Sequence, residues 1–221
     1  MKKFISLILV LMLCMAVAAC SDPSPAATEA PVPTETVPPE DSPYDAIIAE
    51  YAAAVKDGLK PAEMMERGLN YLLAEFLAAD AQGHAGYAVT DLDGDGKDEL
   101  VFAADSDDAF YKGIIFKLFT VENGELMSVV ESGERDRWYW AGDGKLYNAA
   151  SGGAAETDHR ICSANDLSVL DEVKRDSSLD PDAPWFRFAG GEWKSISEDE
   201  ANAAIAQMEG SVTRLDLTLF G

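Results

Sequence analysis

An α+β fold is the expectation: N-terminal helices, then an antiparallel β-meander, a late helix and a C-terminal strand. Three observations carry it. Apolar residues recur at helical spacing between positions 44 and 79; from Ala85 the apolar period changes to two and is cut by glycine-rich turns; and a capping box at Ser197 opens one more helical stretch. No clean repeat of about 20–50 residues is visible, which disfavours a solenoid or a full propeller.

Charge and composition remove several function classes. The 40 acidic and 17 basic side chains leave a net charge of -23, and without clustered Lys and Arg the chain is not expected to take nucleic acid as a partner. Three cysteines cannot staple a disulfide-dense scaffold, and two histidines are too few for a His-rich metal centre. With 48% hydrophobic residues the chain has enough apolar surface for a real core.

The first segment reads as an address. Lys2 and Lys3 precede an apolar run of 16 residues, Phe4 to Ala19, shorter than the roughly 20 a spanning helix needs. Its end, Val17-Ala18-Ala19-Cys20, resembles the lipobox of bacterial lipoproteins. That resemblance implies a signal peptide over 1–19, cleavage before Cys20, and a diacylglyceryl group on the Cys20 thiol that anchors the chain to a membrane. It also implies an extracytoplasmic, lipid-anchored location. Cys14 then leaves with the signal and Cys20 carries lipid, so Cys162 remains alone and no intramolecular disulfide can form.

Residues 20–43 form the next unit, a lipidated cysteine and an acidic tether. The stretch 21–43 holds seven of the ten prolines and five acids, a composition that favours extended polyproline II over packing. At about 3.1 Å per residue it reaches on the order of 70 Å.

Residues 44–221 have the length of a single domain. Tyr44, Ile47, Ile48, Tyr51 and Val55 share a helix face that Gly58 ends. A second helix is expected from Pro61 to about Ala79, with Met65, Leu69, Leu72, Leu73 and Phe76 as its buried stripe. Strands follow over 85–91, 98–104, 112–121, 125–131, 135–141 and 145–150, with weaker ones at 157–162, 167–172, 184–189 and 192–195. Asn123-Gly124, Gly142-Asp143-Gly144 and Gly190-Gly191 suit tight hairpins between them. Ser197 with Glu200 starts a helix to about Glu209, and alternation over 212–219 gives a last strand.

The strongest chemical motif is Asp91-Leu92-Asp93-Gly94-Asp95-Gly96-Lys97-Asp98-Glu99-Leu100. Carboxylates at loop positions 1, 3 and 5 converge when a tight turn follows, Gly96 permits that turn, Lys97 offers its backbone carbonyl at position 7, and Glu99 stands at position 9. Five acids in nine residues repel one another unless a cation joins them, and oxygen-only ligands select Ca²⁺, as a structural ion. A helix–loop–helix EF-hand does not fit, because position 12 is Phe102 and both flanks read as strands. The segment Gly86 to Leu100 instead resembles the DxDxDG loops of FG-GAP and VCBS-type repeats. It also resembles a segment of uncharacterised lipoproteins from clostridia-like bacteria. The likeness implies calcium within a hairpin and no particular activity.

Other groupings carry less. Asp105, Asp107 and Asp108 lack a glycine and regular spacing and read as a solvated loop; His84 reads as a loop residue. His159 and Cys162, three apart in a strand, face opposite sides and make a poor nucleophile–base pair. Trp138 and Trp140 share one strand face, with Arg137 and Tyr139 on the other. These tryptophans, together with Trp185, Phe186, Phe188 and Trp193, are either sheet core or a flat surface for a sugar or peptide. No Gly-x-Ser-x-Gly, Ser-x-x-Lys, His-Glu-x-x-His or phosphate-binding glycine loop occurs. Three functions remain: a calcium-stabilised binding module of the cell envelope, its partner a cell-wall, glycan or protein surface; a metal-dependent envelope hydrolase; or a structural accessory lipoprotein. The missing nucleophile–base signature favours the first and third.

Overall fold

Two glycines set the geometry of the N-terminal helices. In the computed structural model, which describes residues 42–80 and 83–220, α1 spans Asp45–Lys56 and ends before Gly58, whose φ is +63°. The helix expected from Pro61 to Ala79 is instead two. Helix α2 spans Pro61–Glu66, Gly68 takes φ +72°, and α3 spans Tyr71–Ala79. The left-handed glycine stops one helix and Asn70 caps the next, its Oδ1 accepting from the backbone N–H of Leu72 (3.0 Å) and Leu73 (3.3 Å). The break resets the helical phase, so Met64 is buried while Met65, expected in the stripe, is 62% exposed. The lipobox, Cys20 and nearly all of the tether lie outside the described residues.

The strands are β1 His84–Thr90, β2 Glu99–Asp105, β3 Ile114–Glu122, β4 Glu125–Glu131, β5 Asp136–Gly142 and β6 Lys145–Gly153. They continue with β7 Glu156–Ser163, β8 Val169–Asp176, β9 Trp185–Ala189 and β10 Glu192–Ser195; then come helix α4, Glu198–Gly210, and strand β11, Thr218–Leu219. All pair antiparallel in one sheet, in the order β10-β9-β8-β7-β6-β5-β3-β2-β1-β11, with β4 also on β3. The chain is thus an α+β protein with a large antiparallel sheet. Two β3 residues, Ile114 and Ile115, pair with β5, whereas residues 117–122 of the same strand pair with β4. His84, expected in a loop, opens β1 opposite Asp105.

The C-terminal strand is shorter than its alternation suggests. Only Thr218 and Leu219 pair, with Tyr87 and Gly86 of β1, and residues 212–217 run without regular structure. Gly86 is required there, since a Cβ would stand 2.5 Å from the Thr218 carbonyl oxygen. Upstream, the Thr213 N–H bonds to the Trp140 carbonyl (2.9 Å), and Leu215 and Leu217 lie on the sheet.

Both faces of the β2–β3 pair are covered. On one, Leu100, Phe102, Ile114 and Phe116 pack against Tyr51, Met64, Leu73 and Phe76 of the helices. The Tyr51 ring stacks on Phe102 at 3.9 Å between centroids. On the other face, Val101, Ala103, Ile115 and Leu118 meet Leu92, Val130, Leu146 and Ala164. Helix α4, with the expected Ser197–Glu200 capping box, lays Ala201, Ala204 and Met208 on Tyr147 and Val173.

Asn70 ties helices to sheet. Its side chain is fully buried, and while Oδ1 caps α3, Nδ2 donates to the Ser132 carbonyl (2.7 Å) and to Glu131 (3.1 Å). Asn70→Ala is expected to cost about 2–4 kcal/mol, from a lost cap and orphaned buried acceptors. Denaturant unfolding of the two proteins measures it; a cost below about 1 kcal/mol contradicts this role.

Candidate functional site

The Asp-rich segment connects β1 to β2 as a hairpin loop, closed by the Thr90–Glu99 pair. Gly94 (φ +83°) and Gly96 (φ +87°) take backbone conformations that other residues resist, and this curls the loop. The carboxylates then collect the backbone N–H groups. Asp91 accepts from Gly94 through Oδ1 (2.7 Å) and from Gly96 through Oδ2 (3.0 Å); Asp93 Oδ1 accepts from Asp95 (2.9 Å). The loop is fastened at both ends. Leu92 is buried in the core beneath the sheet, its N–H donating to Glu99 Oε2 (2.9 Å), and the Tyr44 hydroxyl at the start of α1 donates to the Asp98 carbonyl (2.6 Å).

Of the residues expected to ligate an ion, three converge. Asp91, Asp93 and Glu99 each offer a carboxylate oxygen, and these oxygens lie within 4.8 Å of one another. Asp95 stands apart from this group. Its Oδ1 accepts from the Lys97 N–H (2.8 Å) and its Oδ2 pairs with the Lys97 ammonium (2.9 Å). Lys97 thus presents its side chain to Asp95, where the motif had assigned only its carbonyl.

Electrostatics at Glu99 favour a cation. The side chain is buried, and burial, with Asp93, Asp95 and Asp91 nearby, raises its pKa, while the Leu92 hydrogen bond acts the other way. A carboxylate raised in this manner is stabilised by any positive charge placed among the three oxygens. The all-oxygen, anionic donor set suits a hard divalent ion such as Ca²⁺.

The loop also borders a cleft of about 340 Å³. It is lined by Asp93, Asp95 and Glu99 together with Thr120, Glu122 and Met127 of the β3–β4 hairpin and Asp166 of the β7–β8 turn. Sequence reasoning missed Glu122 and Asp166, since nothing local links positions so distant along the chain. No tryptophan lines this cleft. Trp138 and Trp140 are half-buried against the apolar cluster of Val101, Ile115 and Leu146.

The remaining groupings resolve through tertiary partners. Arg214 bonds to Asp105 (3.2 Å), to the Ser106 carbonyl (2.7 Å) and to Asp107, so two acids of the expected solvated loop hold the C-terminal segment. His159 and Cys162 do face opposite sides of β7. His159 Nδ1 meets the Tyr147 hydroxyl at 2.6 Å, and the buried Cys162 thiol is pushed up to about 11, chiefly by burial. Such a thiol is inert at neutral pH. Among the described residues no helix is long and apolar enough to cross a membrane.

The class of molecule at hand is therefore an α+β domain carrying an acidic β-hairpin loop. Compared with protein-family models, with curated proteins and with solved structures, the chain finds no match.

Because its pKa is raised in the folded state, Glu99 contributes stability that is full below the ordinary value of 4.5 and is lost as pH climbs through the higher folded value. Glu99→Gln is accordingly expected to melt above the wild type at neutral pH in chelator, with the gap closing under acid conditions. Scanning calorimetry across pH measures this, and a variant that melts lower at neutral pH contradicts it.

Proposed function

We propose that the protein is a lipid-anchored, extracytoplasmic module of a bacterial cell envelope, stabilised by calcium and built for binding rather than catalysis. One observation carries the calcium assignment: Asp91, Asp93 and Glu99 bring three carboxylate oxygens within 4.8 Å of one another on a loop curled by glycines. These three would hold the ion, with the Lys97 carbonyl as the fourth ligand the motif suggests. The ion's contribution is to cancel the repulsion among the acids and so hold the β1–β2 hairpin closed.

The anchor rests on the basic start, the apolar run and Val17-Ala18-Ala19-Cys20. Two acyl chains, at about 0.8 kcal/mol per buried CH₂, anchor stably where a single chain is marginal. The proline-rich stretch after Cys20 acts as a spacer between membrane and domain. A second reading, metal-assisted hydrolysis, draws support from the cleft of about 340 Å³ that opens beside Asp93 and Glu99. An ion with a free coordination position there would reach a substrate, but no nucleophile–base pair accompanies it.

Extracellular modules bind calcium at about 10⁻⁴–10⁻³ M, so low-millimolar calcium is worth about 0.6–1.8 kcal/mol. The expected result is a melting midpoint raised by a few degrees in calcium over chelator, and no rise in Glu99→Gln. Identical wild-type midpoints overturn calcium. For the anchor, mass spectrometry of the N-terminal peptide from the membrane fraction is expected to show diacylated Cys20, and an unmodified cysteine there overturns it.

A further inference from the structure

A second hollow, of about 390 Å³, lies on the sheet face covered by α4, and nothing in the calcium reading uses it. Its floor follows from strand register. Tyr139 of β5 stands opposite Tyr147 of β6; Arg137 stands opposite Ala149, and Ala149 in turn opposite His159 of β7. Period-two alternation puts these five side chains on one face. The single methyl of Ala149 sits between two long side chains, which leaves the depression. Tyr139, Tyr147 and His159 stack in sequence, with centroids 5.5 and 6.1 Å apart, and line the hollow as an aromatic row. Phe110 and Lys112, from the segment joining β2 to β3, and Glu209, from the last turn of α4, also line the hollow.

Its charge is opposite to that of the molecule around it. In a chain of net charge -23, Arg137 and Lys112 both line this hollow, and among the described residues neither takes part in an ion pair. The Arg137 guanidinium is held in place: Cζ lies 3.6 Å from the Phe110 ring centroid and Nη2 donates to the Glu134 carbonyl (2.8 Å). Its Nε is shielded from solvent with no hydrogen-bond partner. An atom enclosed to this degree is closed to a ligand as well, so an acceptor in the hollow meets the Nη edge of the guanidinium.

His159 adds a neutral donor. Burial lowers its pKa, with Glu209 and Asp158 acting in the opposite sense, while burial raises that of Tyr147. A phenol that keeps its proton donates to Nδ1 and leaves the imidazole proton on Nε2. Arg137 and Lys112 against Glu209 leave a surplus of one positive charge, which a monoanion balances and a dianion exceeds. A planar guanidinium matches a carboxylate through paired hydrogen bonds, and the stacked rings accept a flat apolar group.

We propose that this hollow binds a small organic monoanion, a carboxylate carried on a flat apolar body, with Arg137 receiving the carboxylate and the Tyr139–Tyr147–His159 stack receiving the body. The proposal gives the binding-module reading a ligand class and rests on that reading for its setting, but it depends on neither the ion nor the anchor.

Benzoate is the probe, titrated to about 10 mM into the purified full chain at neutral pH. The readout is the imidazole proton spectrum, which contains only two histidines, assigned with a His84→Asn variant. The His159 signal is expected to move saturably while that of His84, which does not line the hollow, stays still. Benzamide, without the charge, and inorganic sulfate, a dianion at neutral pH, are each expected to bind at least about tenfold more weakly. Arg137→Gln is expected to weaken benzoate about tenfold or more, and Ala149→Leu, which fills the floor, to abolish binding. A cooperative thermal melt in chelator, retained in both variants, shows that they are folded whether or not the chain binds calcium. A His159 signal unmoved in the wild type overturns the proposal, as does equal binding of benzamide or sulfate, or wild-type affinity in folded Arg137→Gln.

Discussion

The contact between Asn70 and Ser132 holds the two halves of the architecture together. Ser132 sits where one edge of β3 passes from β4 to β5. Its N–H donates to the Phe116 carbonyl (3.0 Å), its hydroxyl donates to the Ile115 carbonyl (2.5 Å) and accepts from the Trp138 N–H (2.8 Å), and its own carbonyl takes the Asn70 amide. Five backbone groups, the carbonyls of Ile115, Phe116 and Ser132 and the N–H groups of Ser132 and Trp138, are paired by these bonds at the strand exchange. The same amide side chain opens α3, and the Asn70 N–H donates to the Tyr51 hydroxyl (3.0 Å) beside the ring stacked on Phe102. Helix start, strand exchange and aromatic core meet in one buried junction, and with it the double covering of β2 and β3 is fixed.

From that rigid centre the two sites diverge in character. The acidic loop extends from the ends of β1 and β2, held by Leu92 below and by the Tyr44 hydroxyl on the Asp98 carbonyl. The hollow on the α4 side belongs to β5, β6 and β7, past the strand exchange, and it gathers cations in a chain that has few. Most acids elsewhere are exposed and interact weakly through water. At Glu99, and less completely at Arg137, burial lowers the effective dielectric, so unmatched charge matters. Arg214 shows the alternative outcome, an arginine consumed by Asp105 and Asp107 to hold the C-terminal segment.

Local chemistry is legible in a linear sequence, and here it extended to the β-meander, the hairpin turns, the Ser197 capping box and the curl of the Asp91–Glu99 loop. Each depends on residues within a few positions of one another. Where periodicity outweighs a local cue, sequence and structure part: Gly68 and Asn70 carry a helix stop and start, yet the apolar spacing from Pro61 to Ala79 suggests continuity. At 212–219, alternation implied a full strand, but β1 offers pairing only at Gly86 and Tyr87, and the residues before it lie across the sheet.

The sequence by itself therefore determined the element types, most of their limits and the acidic composition of the loop, because propensity, capping and turn geometry act over short range. Only the tertiary structure decided which of those acids converge, that Asp95 turns to Lys97 while Glu99 is buried beside Asp91 and Asp93, and that Arg137 is left without a carboxylate partner. It also decided that Ala149 leaves a hollow lined by three stacked rings. These outcomes depend on register between strands and on which surfaces lose water, and neither quantity exists until distant segments have packed.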